Sequence, residues 1–551
     1  MKLRRRYGAV AIGWTSLLVL VSIACAQDAA SLAPTGVPLD WSQRHILFNA
    51  SGLAQHPELL FREPRIAHQL LQRQQNALWT DLEGRTLAPA SSQRDWNVSL
   101  GAGHVPANMF PAKYSFHTEA PPDCTNDYVV FGLNVIGVTG GRANIAAFNN
   151  LYSGTGGLCG AAPTTLFAYN VSSDPTGKLL TSPVLSLDGK KIAFVEGGTS
   201  ISIFHVLTWA SGTGNGVIGN AAAPGVGNTA SMTSLTIDAT ATNTRSSPWV
   251  DYDKDVAYVG GDTGKIYKIN GVFNSTPVLA GSPWPITLSN NFKLTAPVLD
   301  NNLGILLVGS QNGTLYAINT TTGAVKSLVV GRSGSTNPAI LAAPLVDVTN
   351  GTTFVVSSND GTTGVLVEAA TLTMTQLAKA TLGEASKSGT AINLYEPAFS
   401  NNYYSNPLSG DVRLCGTGTS DITPWEYEFG FVNQSGRIVL NTTPVFSQKL
   451  LNSTTARCTG WTEFFNPNIG AAPGTDLFFF GLTDECTGAG TLGCVVERPD
   501  SGSTLTTATI DGGPSGIVVD NSSTAGQASS IYMTAEKGAD TAYKFTQNGL
   551  Q

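Results

Sequence analysis

The chain has 551 residues, of which 13% are charged, and its formal net charge is −7. No run of lysine or arginine follows residue 6, which argues against the basic footprint of a nucleic-acid-binding protein. The 60 glycines, with abundant Ser, Thr and Asn, favour many short strands joined by tight turns over long helices.

Residues 1–26 have the organisation of a signal peptide. The basic segment MKLRRR precedes a largely apolar stretch from Tyr7 to Ile23, and Ala24-Cys25-Ala26 supplies the small-residue cleavage pattern. Two alternatives stay open: the stretch is a transmembrane anchor, or Cys25 is the acylated residue of a lipoprotein. No second apolar stretch of spanning length follows. We therefore predict a secreted or periplasmic protein with no membrane span after cleavage.

The remaining cysteines agree with export. They are even in number, and the compartment after export is oxidising. Proximity in the sequence suggests three pairs, although other connectivities stay open: Cys124–Cys159, Cys415–Cys458 and Cys486–Cys494. A metal site is the alternative, but the chain has no C-x-x-C motif.

The segment after the signal peptide contains the one convincing helical pattern. Residues 57–83 have apolar side chains near helical spacing, and Pro64 can open a helix. We assign residues 27–94 to an N-terminal linker and helix that packs on the main domain or spaces it from a membrane. We expect removal of residues 27–90 to leave the stability of that domain nearly unchanged.

A repeated unit begins in the second third of the chain. Residues Thr295 to Val325 read as a short strand after a proline, an apolar strand, an Asn-Gly turn and an alternating strand. Asn-Gly between two apolar runs predicts a β-hairpin, because both central residues of that turn need positive φ. Similar units start at Ser182, Ser247 and Ala343. Small antiparallel sheets repeated at such intervals indicate a β-propeller.

We count eight strand pairs. Each is led by a proline: Pro122, Pro183, Pro248, Pro297, Pro344, Pro397, Pro467 and Pro514. The sequence therefore predicts an all-β fold in which residues 95–551 form a propeller of eight four-stranded antiparallel blades. Seven blades remain the alternative if the module at 397–466 belongs to a loop. A pair of β-sandwiches is the alternative to the whole scheme.

The last module supplies only three strands. The segment DWNVSLG at 95–101 has alternating apolar positions and can provide the fourth, while PAKYSFH opens the first blade. Joining the two termini in one sheet removes an exposed edge, which is the physical reason for such a closure.

The repeat DNNLGILLVGSQNGTLYAINTTTGAV resembles that of quinoprotein-like propellers, and VAYVGGDTGKIYKING at Val256 is similar to it. The chain also resembles secreted bacterial propeller proteins. The resemblance implies pyrroloquinoline quinone bound over the central channel, next to an adjacent Cys-Cys disulfide. This sequence has no Cys-Cys pair and no C-x-x-C-H haem motif. We therefore carry over no active-site residue and predict no dehydrogenase activity and no cofactor.

Few residues are candidates for chemistry. Asp251, Asp253 and Asp255 alternate as calcium-loop ligands do, but Val256 stands where such a loop needs glycine, so an exposed turn is the preferred interpretation. We interpret His205 as a satisfied core histidine, with a general base as the alternative. A Ser–His–Asp arrangement cannot be assembled from spacing alone.

Two further groups of side chains are candidates for the channel and its faces. The carboxylates that could face the channel are Glu196, Asp360, Glu396 and Glu536. The tryptophans expected to pack between blades, or alternatively to stack on sugars, are Trp249, Trp284, Trp425 and Trp461.

These features favour a monomeric, disulfide-linked propeller that binds or scaffolds an extracellular protein or polysaccharide. The alternative is an extracytoplasmic hydrolase or lyase that uses channel-facing carboxylates.

Overall fold

The computed structural model describes residues 36–78, 92–117, 122–289, 291–332, 339–384, 392–466, 474–486, 490, 492–500, 505–521, 527–536 and 540–547. The signal-peptide prediction for residues 1–26 lies outside the described residues. None of the helices within these ranges is long and apolar enough to cross a membrane.

The N-terminal segment contains short strands and most of the helices. Its elements are β1 (Val37–Leu39), a 3-10 helix (Trp41–Arg44), β2 (Ile46–Leu47), α1 (Ala50–Gln55), α2 (Leu59–Arg62), α3 (Pro64–Leu78) and β3 (Ser92–Ser99). As predicted, the longest helix opens at Pro64, whose fixed φ and missing N–H suit the first helical position.

Eight sheets follow in chain order. Blade 1 contains β4 (Ala112–Ser115), β5 (Tyr128–Gly132), β6 (Ile145–Asn149) and β7 (Thr164–Tyr169). Blade 2 contains β8 (Lys178–Leu179), β9 (Val184–Leu185), β10 (Lys191–Gly197), β11 (Ser202–Thr208) and β12 (Ser231–Asp238). Blade 3 contains β13 (Trp249–Asp251), β14 (Val256–Gly260), β15 (Lys265–Asn270), β16 (Val278–Leu279) and β17 (Ile286–Thr287). Blade 4 contains β18 (Val298–Asp300), β19 (Ile305–Gly309), β20 (Thr314–Asn319) and β21 (Val325–Val329).

The second half of the ring repeats the plan. Blade 5 contains β22 (Leu345–Asp347), β23 (Thr352–Ser357), β24 (Thr363–Ala370) and β25 (Thr375–Glu384). Blade 6 contains β26 (Ala398–Phe399), α4 (Asn401–Ser405), a 3-10 helix (Pro407–Ser409), β27 (Asp411–Thr417), β28 (Pro424–Gln434), β29 (Arg437–Leu440) and β30 (Phe446–Lys449). Blade 7 contains β31 (Thr462–Asn466), β32 (Thr475–Leu482), β33 (Leu492–Pro499) and β34 (Thr506–Asp511). Blade 8 contains β35 (Val518–Asp520), β36 (Ser530–Thr534) and β37 (Thr541–Gln547).

The prediction of an eight-bladed, all-β propeller is confirmed. The module at 397–466 is a full blade, so the seven-bladed alternative is wrong. Five of the eight predicted prolines directly precede an inner strand, Pro514 lies four residues before β35, and Pro467 lies outside the described residues. Pro122 lies in the loop between β4 and β5. Blade 1 opens at Ala112, after Pro111, as predicted for the segment PAKYSFH.

The ring closes where the sequence predicted. β3 pairs antiparallel with β37 over its whole length, with a bulge between Arg94 and Trp96. The indole of Trp96 is buried, and its Nε1 donates to the carbonyl oxygen of Leu151 in the loop that follows β6 at 2.9 Å. Blade 8 therefore has four strands, the fourth supplied by residues 92–99.

The N-terminal segment lies inside the ring, a position that the sequence pattern did not indicate. β1 pairs antiparallel with β4, the inner strand of blade 1, and β2 pairs parallel with β22, the inner strand of blade 5. Inner strands all run in the same direction along the channel. The chain therefore rises along blade 1, turns at the 3-10 helix Trp41–Arg44 and descends along blade 5. We call residues 36–78 the plug.

Three disulfides join successive cysteines of the chain, as the sequence suggested. Their Cα–Cα distances are 5.4, 6.2 and 5.9 Å for Cys124–Cys159, Cys415–Cys458 and Cys486–Cys494. Such bonds suggest an oxidising, extracytoplasmic environment.

Candidate functional site

The central channel is filled by the plug. The side chains of Ile46, Leu47 and Phe48 are at most 1% exposed, and they share one apolar core with the inner strands of the blades. Burying these apolar side chains stabilises both the plug and the ring lining. The space that propellers leave around their axis is therefore largely occupied by the chain's own residues.

Polar contacts fix the plug against several blades. Asp40 accepts the backbone N–H of Leu185 in blade 2 at 3.1 Å, and Thr349 of blade 5 accepts the backbone N–H of Asn49 at 3.0 Å. In blade 4, the side-chain amide of Asn301 donates to the carboxylate of Glu63 at 3.1 Å. These bonds hold the plug in one register.

Arg65 is the most deeply buried charge of the plug. Its Nη1 donates to Glu63 at 2.8 Å, and its Nη2 donates to the carbonyl oxygen of Val250 in blade 3 at 3.0 Å. Its guanidinium carbon lies 4.1 Å from the ring centroid of Trp249 and 4.6 Å from that of Tyr252. Burial raises the pKa of Glu63, and the adjacent Arg65 partly offsets that effect. The pair is thus satisfied by hydrogen bonds and aromatic faces, as a buried ion pair requires.

A cavity of about 100 Å³ remains between the plug and blades 5 to 8. The plug contributes amide and guanidinium groups to its wall, and the ring contributes apolar and aromatic groups such as Phe110, Phe399 and Tyr404. A few polar groups in a mostly apolar wall are typical of a small-molecule site. We call this space the plug cavity.

Six buried polar atoms in the wall of the plug cavity have no partner among the described residues. The donors are Gln43 Nε2, Gln72 Nε2 and Arg73 Nε, and the acceptors are Gln43 Oε1, Gln69 Oε1 and Asn521 Oδ1. Gln43, Gln69 and Asn521 are each at least nine-tenths buried. Because a buried polar group without a partner is costly, such a concentration points to a polar occupant of the cavity.

The charges of the plug cavity are balanced. Arg73 donates to both carboxylate oxygens of Glu463, at 3.0 and 2.8 Å, and stacks on Tyr404 with its guanidinium carbon 3.8 Å from the ring centroid. Arg44 lies over Phe110 and donates to the hydroxyl of Thr462.

Burial acts on the pKa of both arginines. It lowers the pKa of Arg44. It also acts to lower that of Arg73, but Glu463, Tyr404 and Asp476 together outweigh this effect and raise the pKa of Arg73. With Asp40 and Glu463, the wall therefore carries two cations and two carboxylates.

Two of the carboxylates named from the sequence share Asn108 as a hydrogen-bond donor. Asn108 donates its side-chain amide to Glu396 at 3.0 Å and its backbone N–H to Glu536 at 3.3 Å. Asn108 and Glu396 line a smaller space of about 20 Å³ together with Trp41 and His45 of the plug. Burial, with Arg44 adding to it, lowers the pKa of His45 to about 3, so this imidazole is neutral.

The remaining candidates lie away from the channel axis or do not converge. Asp251 is buried and accepts the ammonium of Lys254, whereas Asp255 accepts the backbone N–H groups of Phe273 and Asn274. Within the residues that the structure describes, no group of three or more His, Cys, Asp or Glu side chains is arranged to hold a metal. Asp251 belongs to β13 and not to the exposed turn that the sequence favours, and calcium binding by Asp251, Asp253 and Asp255 remains the untested alternative.

The tryptophans are not exposed for stacking on sugars, and two of the four candidate carboxylates pair within their own blades instead of facing the channel. Trp249 and Trp461 are fully buried, Trp284 is 7% exposed, and Trp425 is partly buried. Asp360 forms an ion pair with Lys379 within blade 5.

Glu196 accepts a hydrogen bond from His205 within blade 2, so it does not reach the channel either.

The sequence does not predict a role for Gln43, Gln69 and Gln72, because glutamines in a polar or helical N-terminal segment give no indication that they line a cavity.

No family model and no curated protein matches the chain. Among solved structures, the chain is similar to a Dos1 propeller (11% identity, 83% of this chain and 95% of that chain covered, TM-score 0.49). It is also similar to BamB from Moraxella catarrhalis (13%, 83% and 98%, 0.39) and to Sqt1 from Chaetomium thermophilum (12%, 84% and 100%, 0.49). Function must therefore be argued from the site.

Proposed function

We propose that this protein is an exported, monomeric β-propeller that acts as a binding or scaffold module for an extracellular polysaccharide or protein, without nucleic acid or cofactor. The signal-like residues 1–26 and the three disulfides support export. We also place the ring with the quinoprotein-like propellers of secreted bacterial proteins, on the repeat at Thr295 to Val325.

The wall of the plug cavity carries this proposal and favours a polysaccharide over a protein. Its three unpartnered donors and three unpartnered acceptors suit hydroxyl groups, because each hydroxyl both donates and accepts. Its two cations and two carboxylates favour a neutral ligand over an acidic one. A cavity of about 100 Å³ is smaller than a whole sugar chain, so we assign it to a terminal hydroxyl-rich group of the ligand.

Thermal-shift measurements and calorimetry with soluble polysaccharides test this proposal. We expect a neutral glucan such as dextran to raise the melting temperature and acidic polygalacturonate to have a smaller effect. Gln72→Leu should abolish the shift, because it removes an inward-facing amide. The matched control is Gln376→Leu, which removes an exposed amide from β25.

Two results would contradict the assignment. A shift that survives Gln72→Leu would place the ligand outside the plug cavity. If no polysaccharide binds at any concentration tested, the ligand is not a polysaccharide, and the protein half of the proposal is the one to pursue.

A further inference from the structure

Three side chains on adjacent strands of blade 2 form a continuous hydrogen-bonded line. The hydroxyl Oγ of Ser234 lies 2.9 Å from Nδ1 of His205, and Nε2 of His205 lies 2.7 Å from Oε2 of Glu196. His205 and Glu196 are fully buried, whereas Ser234 is exposed. The line therefore runs from the interior of the blade to its surface.

Strand register produces this arrangement. Ser234 of β12 stands directly opposite His205 of β11. Glu196 of β10 stands opposite Ile203, two residues from His205 on the same face of the sheet. Directly opposed and diagonal neighbours on one face are the pairs whose side chains meet in an antiparallel sheet.

The carboxylate of Glu196 is held in a fixed position. It accepts the backbone N–H of Ser173 at 2.9 Å and that of Asp174 at 3.0 Å, in addition to the imidazole. Gly177 lies so close that a Cβ there would come within 1.6 Å of Oε1. The loop 173–177 thus fixes the carboxylate, and the carboxylate fixes the ring of His205.

This geometry selects one tautomer of His205. A carboxylate oxygen only accepts hydrogen bonds, so Nε2 carries the hydrogen that it donates to Glu196. Nδ1 then has the lone pair and accepts the hydroxyl hydrogen of Ser234. A hydroxyl within reach of a base that a third group orients is the arrangement of an activated nucleophile.

We propose that Ser234 is a nucleophile activated by His205, with Glu196 as the positioning residue, and that the line hydrolyses carboxylic esters. Ser234 Oγ attacks the acyl carbon while its proton moves to His205 Nδ1. The tetrahedral intermediate then expels the alcohol, which takes that proton, and leaves an acyl ester on Ser234. Water attacks this ester through the same proton route and releases the carboxylic acid.

The position of Ser234 defines the class of substrate. It lies on the outer strand of its blade, so an ester carried on a large molecule can reach it from solvent. The hydroxyl of Ser173 lies 3.5 Å from that of Ser234 at the same surface point and can donate to the oxyanion of the intermediate. An ester on a polymer, such as an O-acylated polysaccharide, fits this open approach. The proposal does not depend on the plug cavity.

A fluorophosphonate probe and p-nitrophenyl acetate test the nucleophile directly. We expect the probe to label Ser234, as mapped by peptide mass spectrometry, and the acetate ester to be hydrolysed. Ser234→Ala should abolish both. Ser231→Ala is the matched control, since Ser231 is exposed on the same strand but points to the opposite face. Equal labelling of wild type and Ser234→Ala, or labelling at Ser173 instead, would overturn the assignment.

A second measurement separates activation from a structural hydrogen bond. Ser234→Cys should react with iodoacetamide at least about tenfold faster than Ser231→Cys at neutral pH, because an adjacent base raises the thiolate fraction. Glu196→Gln should remove this difference. Its amide would donate to Nε2, which forces the hydrogen onto Nδ1 and leaves no base. If the two cysteines react at equal rates, Ser234 and His205 form only a cross-strand hydrogen bond and the proposal is wrong.

Discussion

The N-terminal part of the chain completes the ring twice, in two different ways. β3 adds one strand to the outside of blade 8 and pairs with one neighbour, whereas the plug reaches inner strands on several sides of the channel. The outer closure satisfies the hydrogen bonds of a sheet edge. The inner closure removes water from the apolar lining of the ring. Backbone hydrogen bonds between β3 and β37 are therefore sufficient to close blade 8, whereas closure of the central channel depends on the side chains of the plug.

Truncation of the two closures compares them directly and should have the largest effect. We expect deletion of residues 27–78 from the mature protein to abolish cooperative folding or cause aggregation, because it exposes the lining that residues such as Ile46 and Phe48 bury. This replaces the sequence-based expectation of a dispensable leader. The comparison is deletion of residues 27–102, which also removes β3.

Two observations decide between the closures. Circular dichroism melts and size-exclusion chromatography measure the loss of cooperative folding. Co-expression of residues 27–91 as a separate chain should restore folding to the protein that lacks residues 27–78, but not to the one that lacks residues 27–102. If the first deletion melts like wild type, the plug does not support the ring.

Arg65 is the single side chain whose loss should weaken the inner closure most. Arg65→Ala leaves Glu63 buried without its cation and removes the contact with Trp249, so we expect a loss of about 3–5 kcal/mol in the free energy of unfolding. The control is Arg62→Ala, at the exposed last residue of α2. Urea unfolding measures both. Equal effects of the two substitutions would mean that the buried pair contributes nothing specific.

Buried acids of the ring give the stability a pH dependence. Burial raises the pKa of Asp300 at the end of an inner strand from 3.8 to about 7, although the backbone N–H of Leu303 partly opposes the shift. The folded state then holds this proton more tightly than the unfolded state. Stability is therefore greatest below about pH 4 for this group and falls as pH rises towards 7, by a few kcal/mol at most.

Asp300→Asn should flatten this slope, since the amide does not titrate. Melting temperatures between pH 4 and 8 measure it, and Asp253→Asn, at an exposed turn, is the control. A slope that is unchanged by Asp300→Asn contradicts the assignment to this carboxyl.

The smallest effect on stability is expected for an exposed ion pair outside the plug, which we call a rim pair. Lys449 and Asp421 of blade 6 form a 3.1 Å ion pair, and the side chains of both residues are 36% exposed. Lys449→Ala should change the free energy of unfolding by less than about 1 kcal/mol, because solvent and salt screen exposed charges. Urea unfolding at low and high salt checks this. A loss as large as that of Arg65→Ala would remove the distinction between rim and axis.

The sequence predicted the outer closure but not the inner one, for a physical reason. The last module lacks a strand, and Trp96, Val98 and Leu100 alternate as a half-buried strand does, so β3 could be found by pattern. β1 and β2 are three and two residues long, and their partners lie in distant parts of the chain. Strands of that length have no readable period.

The candidate sites were hidden by the same non-local pairing. Ser234 and His205 are 29 residues apart, and a long loop between β11 and β12 separates them. Spacing alone could not place them opposite each other. Pro122 failed as a blade marker because prolines also suit connecting loops.

The closure between β3 and β37 also constrains the order of folding. Asp95 and Lys544, which form an ion pair at 2.5 Å, are 449 residues apart in the chain. Contacts of such high sequence separation form late, because a long loop must be closed before they contribute any stability. The plug precedes the blades in the chain and lies inside the ring that this last pairing completes. The blades must therefore assemble around residues 36–78. A permuted chain that made those residues last would have to insert them into an already closed ring, which should fold more slowly.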